Sequence, residues 1–387
     1  MSEYHYFPDM KQHSPQQLVR GWKANWPNCG VLALVAEADL AAIADLQKIC
    51  SASDVPLVGA VFPELIVDST FTKNGTLFIR MNPMPEYLIM HGISHGKDRE
   101  LELIEHVAAL GDTLEEGLDA TKGALMIIFD ALIPNISSIL NALYLKLGSR
   151  VAYSGANAGS ESFKPMDCLF DDANTYRDGV LALALKEHAG GLLRHGYSSS
   201  ESTYMATSTE GNCIHSVNWE AAFESYCLLA KNEYGLEINA ENFYEKAVHF
   251  PFGIAKGNGQ TLVRIPVGLN EAGDIYCIGE IPENSILTLL KAPAEQLMSS
   301  AKNLAQTVSF RLGGSELCFY CAGRRLHLGL EQASRELNEV HHFLGDITGA
   351  LSLGEIGCTS HGSYPEFHNG AVLFVQWPEQ KEGDDLS

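Results

Sequence analysis

Basic residues are scarce in this chain. Its 387 residues carry 26 Lys and Arg against 48 Asp and Glu, a formal net charge of −22. Such a surface repels phosphate backbones and anionic lipid headgroups, so nucleic acid and membrane are poor partners, whereas a basic protein surface would be attracted. Long apolar runs are missing too: nothing approaches the ~18 uninterrupted apolar residues of a transmembrane helix. Met1 to Met10 reads MSEYHYFPDM, without the apolar stretch of a secretory signal. Nine cysteines, an odd number scattered from Cys29 to Cys358, fit reduced thiols in the cytoplasm better than a disulfide framework. Catalytic signatures are also lacking, with no Walker loop, Gly-x-Gly-x-x-Gly, Gly-x-Ser-x-Gly or His-Glu-x-x-His. An enzyme, such as a hydrolase using the repeat loops, is therefore the least favoured class.

What is present is ample core material. Hydrophobic residues make up 46% and charged residues 19%, and the length suggests two domains of about 100–200 residues each. A unit recurs three times. The first copy begins with Val31-Leu-Ala-Leu-Val35, continues through a helix-like Asp39 to Cys50 and ends in Pro56-Leu-Val-Gly-Ala60. The second runs from Ala124-Leu-Met-Ile-Ile-Phe129 through Ile136 to Leu147 and on to Val151-Ala-Tyr-Ser-Gly-Ala156. The third runs from Leu317-Cys-Phe-Tyr320 through Gly329 to Leu344 and on to Ile347-Thr-Gly-Ala350. Such continuous apolar runs suit strands buried on both faces, with a helix as crossover. The spacing predicts an α/β fold of layered mixed sheets with packed helices. Gly59, Gly155 and Gly349 close the three copies, where glycine serves a sharp turn or a close approach; a ligand site in the loops beyond them is the sharper alternative.

Ser198-Ser-Ser-Glu-Ser-Thr203 and Ser208-Thr-Glu-Gly-Asn212 read as a linker, and an apolar helical pattern from Trp219 to Lys231 follows. The expected division is residues 20–215, residues 216–378 and an acidic tail, 379–387. After Trp377 only that tail remains, so a signal is expected to leave through a partner.

Phe319-Tyr-Cys-Ala-Gly-Arg-Arg325, Gly349-Ala-Leu-Ser-Leu-Gly-Glu-Ile356 and Phe367-His-Asn-Gly370 resemble the C-terminal FIST module, which ends in a Gly-Glu-Ile strand and a His-Asn before its last strand. Upstream, Gly59-Ala-Val-Phe-Pro63 and Gly155-Ala-Asn-Ala-Gly-Ser-Glu161 resemble landmarks of the N-terminal FIST module. The resemblance spans about residues 28–376. It makes Gly59, Phe62, Pro63, Gly155, Gly159, Arg324, Gly349, Gly354, Glu355, His368 and Asn369 structural landmarks. It also implies a bacterial signalling module that binds a small ligand and is not an enzyme. The Gly-x-x-Phe-Pro segment is similar to that of the branch described as haem-based nitric oxide sensors. That likeness implies haem, a cytoplasmic location and a histidine kinase or other signalling partner, with a homodimer left open. An amino-acid-like ligand, or a thiol- or metal-based (zinc or iron–sulfur) redox switch, are the alternatives.

A haem iron needs a neutral imidazole or a thiolate in an apolar pocket. Among fourteen histidines, His249 is the first choice, because Val248-His-Phe-Pro-Phe252 flanks it with rings, and Phe250 and Phe252 would pack on a porphyrin. A core histidine bonded to a carbonyl is the competing reading. His188 and His195, either side of Gly190-Gly191, are second choices and otherwise surface residues. His368 is expected to shape the loop before the last strand, with His361 nearby in sequence. Cys318-x-x-Cys321 lies in an apolar strand, where alternation disfavours a chelating pair; Cys358 is the third thiol to consider. Glu355 would be costly to bury alone. Arg324 or Arg325 is its expected partner, bracing two strands through the guanidinium fork. Asp167, Asp171 and Asp172 read as a solvated loop.

Overall fold

The strand–helix–strand unit is the centre of a longer plan that the chain follows three times. The computed structural model describes residues 3–11, 15–115, 123–257, 259–309, 316–360 and 362–376; His361 and the acidic tail lie outside them. The first pass runs β1 (Tyr4–Phe7), α1 (Pro15–Asn25), β2 (Gly30–Ala36), α2 (Ala42–Ser51), β3 (Leu57–Phe62), the hairpin β4 (Glu64–Val67) and β5 (Thr70–Thr72), and β6 (Thr76–Met81). The second runs β7 (Glu86–His91), α3 (Lys97–Asp112), β8 (Ala124–Asp130), α4 (Ile136–Leu147), β9 (Ala152–Ala158), the hairpin β10 (Leu169–Asp171) and β11 (Thr175–Tyr176), and β12 (Gly179–Leu185).

The third pass opens with β13 (Gly191–Arg194) and then departs into an insert. That insert holds β14 (Ser198–Ser199), β15 (Tyr204–Glu210), β16 (Cys213–Val217), β17 (Glu220–Ala221), α5 (Ala222–Tyr234) and α6 (Phe243–Ala247). It continues with β18 (Phe252–Ala255), β19 (Thr261–Arg264), β20 (Pro266–Leu269), β21 (Ile275–Cys277) and β22 (Ile286–Lys291). The plan resumes with α7 (Ala294–Ser309), β23 (Glu316–Cys321), α8 (Ala322–Leu344), β24 (Thr348–Ser352), the hairpin β25 (Glu355–Gly357) and β26 (Glu366–His368), and β27 (Val372–Gln376).

In each pass the crossover helix joins two parallel strands: β2 with β3, β8 with β9, β23 with β24. Outside the first of these lie two antiparallel strands of the same pass, giving β1-β6-β2, β7-β12-β8 and β13-β27-β23. Outside the second lies a hairpin from a different pass. The β4–β5 hairpin pairs with β24, β10–β11 with β3, and β25–β26 with β9. This exchange is cyclic, so a neighbour completes every six-stranded sheet. No pass closes on its own.

Strand alternation sends one face of each sheet inward. Met126 and Ile128 of β8 and Leu317 and Phe319 of β23 join the β2 side chains in one shared core, where the Phe62 and Phe319 rings sit 5.6 Å apart. The opposite faces, such as Leu125, Ile127 and Phe129, or Cys318 and Tyr320, pack under the helices. Burial on both sides is why these strands read as unbroken apolar runs. The expected mixed α/β architecture is present. Among the described residues no helix is long and apolar enough to cross a membrane.

Two expectations need correction. Gly59, Gly155 and Gly349 do occupy equivalent places, opposite Ala33, Ile127 and Cys318 in the three parallel registers. They lie inside strands, however, and none has a positive φ. A Cβ at any of them would run into the carbonyl oxygen of that opposite residue, so close approach of two backbones, not a turn, demands glycine. The second correction concerns residues 198–218. This polar stretch is not a linker but β14 to β16 of the nine-stranded insert sheet.

Gly155→Ala and Gly349→Ala should each lower the unfolding free energy by about 3 kcal/mol or more, since the backbones must separate. Gly21→Ala in α1, where an added Cβ meets nothing, should instead gain about 0.5–1 kcal/mol. Urea titration reads all three variants, and equal effects at Gly21 and Gly155 would remove the close-approach explanation.

Candidate ligand cleft

A buried ion pair organises the region where the insert leaves and rejoins the third pass. Helix α8 is broken at Gly329 (φ 74°, ψ 157°). In one straight helix Arg324 and Glu336 would stand about 18 Å apart; the break folds them together. Arg324 donates to both Glu336 oxygens, at 2.8 Å from Nε and 2.7 Å from Nη2, and the Tyr320 hydroxyl adds a third bond at 2.6 Å. Burial works against the Arg324 charge, but Glu336 outweighs it and holds the guanidinium above its ordinary range. The remaining donors reach the His195 carbonyl (2.6 Å), the Gly370 carbonyl (3.2 Å) and the Leu297 carbonyl (2.7 Å). Arg324 therefore ties the segment after β13 to the start of α7 and to the turn before β27.

Glu355 is not the partner of Arg324. It is fully buried, and it accepts from the Ser352 hydroxyl at 2.6 Å and the Ala371 N–H at 3.3 Å. Burial pushes its carboxyl from 4.5 up to about 8. Burial favours the neutral carboxyl, which lessens its need for a counter-charge, and Arg324 is already committed to Glu336. Arg325 pairs with Glu64 at 2.6 Å and Glu161 at 2.9 Å instead.

The segment held by Arg324 forms one wall of a cleft of about 450 Å³, and the β18–β19 turn of the insert forms another. His195 accepts the Tyr197 N–H on Nδ1 at 3.0 Å, leaving its proton on Nε2 towards the Thr261 backbone. Burial first, then the charges of Arg324 and Arg194 and the His368 ring, pull its pKa down to about 3. Its ring stacks on His368, 5.5 Å away and 21° from parallel. His368 is 1% exposed, and burial lowers its pKa against the opposing pull of Glu366, whose Oε2 stands 3.5 Å from Nε2. Its Nδ1 and the buried Tyr197 hydroxyl have no hydrogen-bond partner among the described residues. Both side chains line the cleft. At the rim, exposed Arg194 pairs with no carboxylate among the described residues, and Gln260 of the insert donates to the Thr359 hydroxyl across the opening.

The other candidate histidines lie elsewhere. His249 is half-buried with Nδ1 at 3.2 Å from Nδ1 of His327. Since His327 turns Nε2 to the Ala292 carbonyl at 2.8 Å, its Nδ1 accepts and His249 supplies the proton. Phe252 is buried in the insert core, 5.3 Å from the Tyr226 ring, and Phe250 lies 4.9 Å from Tyr234. Both rings are committed to core neighbours and frame no slot beside His249, so these residues do not fit a porphyrin. His188 is buried, contrary to its expected surface position, and accepts the Gly190 N–H at 3.1 Å. Cys318 and Cys321 are buried with pKa values pushed up by burial. Among the described residues they belong to no metal-competent grouping with Cys358.

The FIST N domain matches residues 30–220 and the FIST C domain matches residues 222–358. The chain belongs to the FIST family. No curated protein sequence matches it. FIST domains are sensor domains of signal transduction that bind small ligands, and nothing in these matches indicates a haem or nitric oxide branch. The FIST landmarks now have physical roles. Phe62 fills the shared core, and Pro63 separates β3 from the hairpin that leaves for another sheet. A Cβ on Gly354 would strike the Phe367 ring, the Gly159 N–H donates to the Val61 carbonyl at 2.9 Å, and Asn369 accepts the insert's Ile265 N–H at 3.3 Å. Sequence reading missed Arg194, Tyr197, Gln260 and Thr359. Arg194 directly precedes the chosen His195, but only the docked insert brings Gln260 opposite Thr359.

Two variants test the buried groups. Glu336→Gln should cost about 3–5 kcal/mol by leaving the Arg324 charge uncompensated, read by urea denaturation. For Glu355 the folded state keeps a proton that the unfolded chain releases above pH 4.5. Its contribution is thus greatest below pH 4.5 and falls by about 1.4 kcal/mol per unit up to about pH 8. Glu355→Gln should therefore gain about 2–3 kcal/mol on wild type between pH 5.5 and 7.5; parallel pH profiles would refute a neutral Glu355.

Proposed function

We propose that this FIST protein is a sensor whose small ligand occupies the cleft between the insert and the third pass, and whose signal passes to a partner protein. The observation that carries this reading is the cleft of about 450 Å³ itself, where the exposed Arg194 stands with Gln260, Thr359 and Ser360 around one opening. Arg194 offers its charge to a carboxylate, while Gln260 of the insert and Thr359 of the third pass add polar contacts from either side of the opening. That chemistry suits an amino-acid-like molecule. A ligand competing for Gln260 or Thr359 shifts the tie between insert and third pass, and differential affinity for the two arrangements drives the output. The −22 charge favours a partner with a basic docking face, a histidine kinase being the partner that the sequence resemblance implies.

Calorimetric titration with small amino and carboxylic acids, together with mass spectrometry of molecules that co-purify, tests the reading. Binding is expected, weakened about 10–100-fold in Arg194→Ala. A Soret band in freshly purified protein that survives Arg194→Ala would redirect the reading to haem. If nothing binds and nothing co-purifies, the cleft is not the sensory site.

A further inference from the structure

The insert carries a second cluster, remote from the cleft in the sheet order. Cys213 and His215 alternate along β16 and so share one face. Asp274 immediately precedes β21, which is registered with β16 through Cys213↔Tyr276 and Ile214↔Ile275. His215 Nδ1 lies 3.1 Å from Asp274 Oδ1 and 4.0 Å from the Cys213 sulfur, and one donor atom from each residue lies within 4.8 Å of the others. We propose that Cys213, His215 and Asp274 bind a zinc-class divalent cation, leaving a fourth coordination position open to solvent.

The separations match the chemistry. Around a tetrahedral zinc with bonds of about 2.3 Å to sulfur and 2.0–2.1 Å to nitrogen or oxygen, sulfur and nitrogen stand about 3.6 Å apart and nitrogen and oxygen about 3.3 Å. The observed 4.0 Å and 3.1 Å differ from these by only a few tenths of an ångström. The donors are also oriented from behind, as functional metal ligands are. Asn270 donates to Asp274 Oδ2 at 2.8 Å, and its own Oδ1 accepts the Asp274 N–H at 2.9 Å. The second carboxylate oxygen is thereby occupied and Oδ1 is turned to His215. His215 keeps 38% side-chain exposure and Asp274 19%, so an ion has an entry path and room for a water. Soft sulfur, imidazole nitrogen and one carboxylate select zinc or its cobalt substitute over magnesium or calcium. Binding forms the sulfur–metal bond and breaks the S–H bond of Cys213, whose proton passes to the buffer. No oxidant or reductant takes part.

Cobalt(II) titration of chelator-treated full-length protein tests this directly. One ion per chain should bind with a near-ultraviolet sulfur-to-cobalt charge-transfer band and the visible bands of a four-coordinate ion, both bleached by zinc. Cys213→Ser should abolish the charge-transfer band. His215→Asn, at a half-exposed position, should weaken binding while circular dichroism stays unchanged, which covers a failure of Cys213→Ser to fold. Asn270→Ala should weaken zinc about 10–100-fold. A band that persists in Cys213→Ser, or binding that ignores both His215→Asn and Asn270→Ala, would overturn the assignment. Arg194→Ala should leave the titration untouched, so the cleft and the cation site stand or fall separately.

Discussion

The parallel strands leave no room for a Cβ at Gly59, Gly155 and Gly349, and each of those glycines also faces a hairpin that belongs to another pass. The register pairs Gly59 with Phe170, Gly155 with Ile356 and Gly349 with Ile66. A strand in this position has one neighbour from its own unit and one from far along the chain. The three sheets are therefore interdependent, because the edge left by removing any hairpin belongs to a different pass. Closing them requires contacts such as Leu65 with Ala350, whose loop-closure entropy must be met before the shared core can reward it.

Pseudo-equivalence breaks in the third pass alone, and the chemistry collects there. Where the first two passes lead from their outer strand directly to a helix, the third leaves at Arg194 and returns at Ala294. Arg324 holds both ends of that excursion through the His195 and Leu297 carbonyls. A buried ion pair is weak evidence for stability, since desolvation offsets most of the attraction. Its geometry is the useful product here: the guanidinium fork presents its donors in fixed directions, and the residues it orients, His195 and its neighbours, become cleft wall. His368 belongs to the exchanged β26, so the cleft also depends on the hairpin cycle.

Sequence periodicity revealed the strands that are buried on both faces, because nothing polar interrupts them. It could not reveal which sheet each hairpin joins, since pairing partners lie hundreds of residues apart and both choices bury the same side chains. The insert was misread for a related reason. Its strands β14 to β16 are half-exposed and rich in Ser and Thr, which is also the composition of a linker. Arg324 was legible as important but not its partner: Glu355 looked like a costly buried anion, whereas desolvation favours its neutral form, and Glu336 became reachable only through the break at Gly329. The histidines illustrate the same limit. An apolar setting made His249 attractive, yet its aromatic neighbours pack on α5 residues. The Cys-x-His of β16 went unnoticed because alternation means nothing in a segment taken for a linker.

The insert sheet links the cleft and the Cys213 cluster mechanically. Strand β15 belongs to both halves, pairing through Tyr204 and Met205 with β22 and through Ala206 to Glu210 with β16. Register shifts between Ala206 and Thr209 mark irregular pairing at that junction, and such bulges bend a strand and raise its local twist. The half that carries the β18–β19 turn is fastened to the third pass by Arg324 at the chain ends, by Asn369 at Ile265 and by the Gln260 to Thr359 bond. The half that carries Cys213, His215 and Asp274 lies beyond the bend. The outer half also reaches the trunk directly, because the Ser138 N–H (2.9 Å) and hydroxyl (2.5 Å) of α4 donate to Glu280 just beyond β21. A displacement of the Cys213 half therefore acts at that contact as well as through β15, and the Gln260–Thr359 bond is the tie that a cleft ligand can reach.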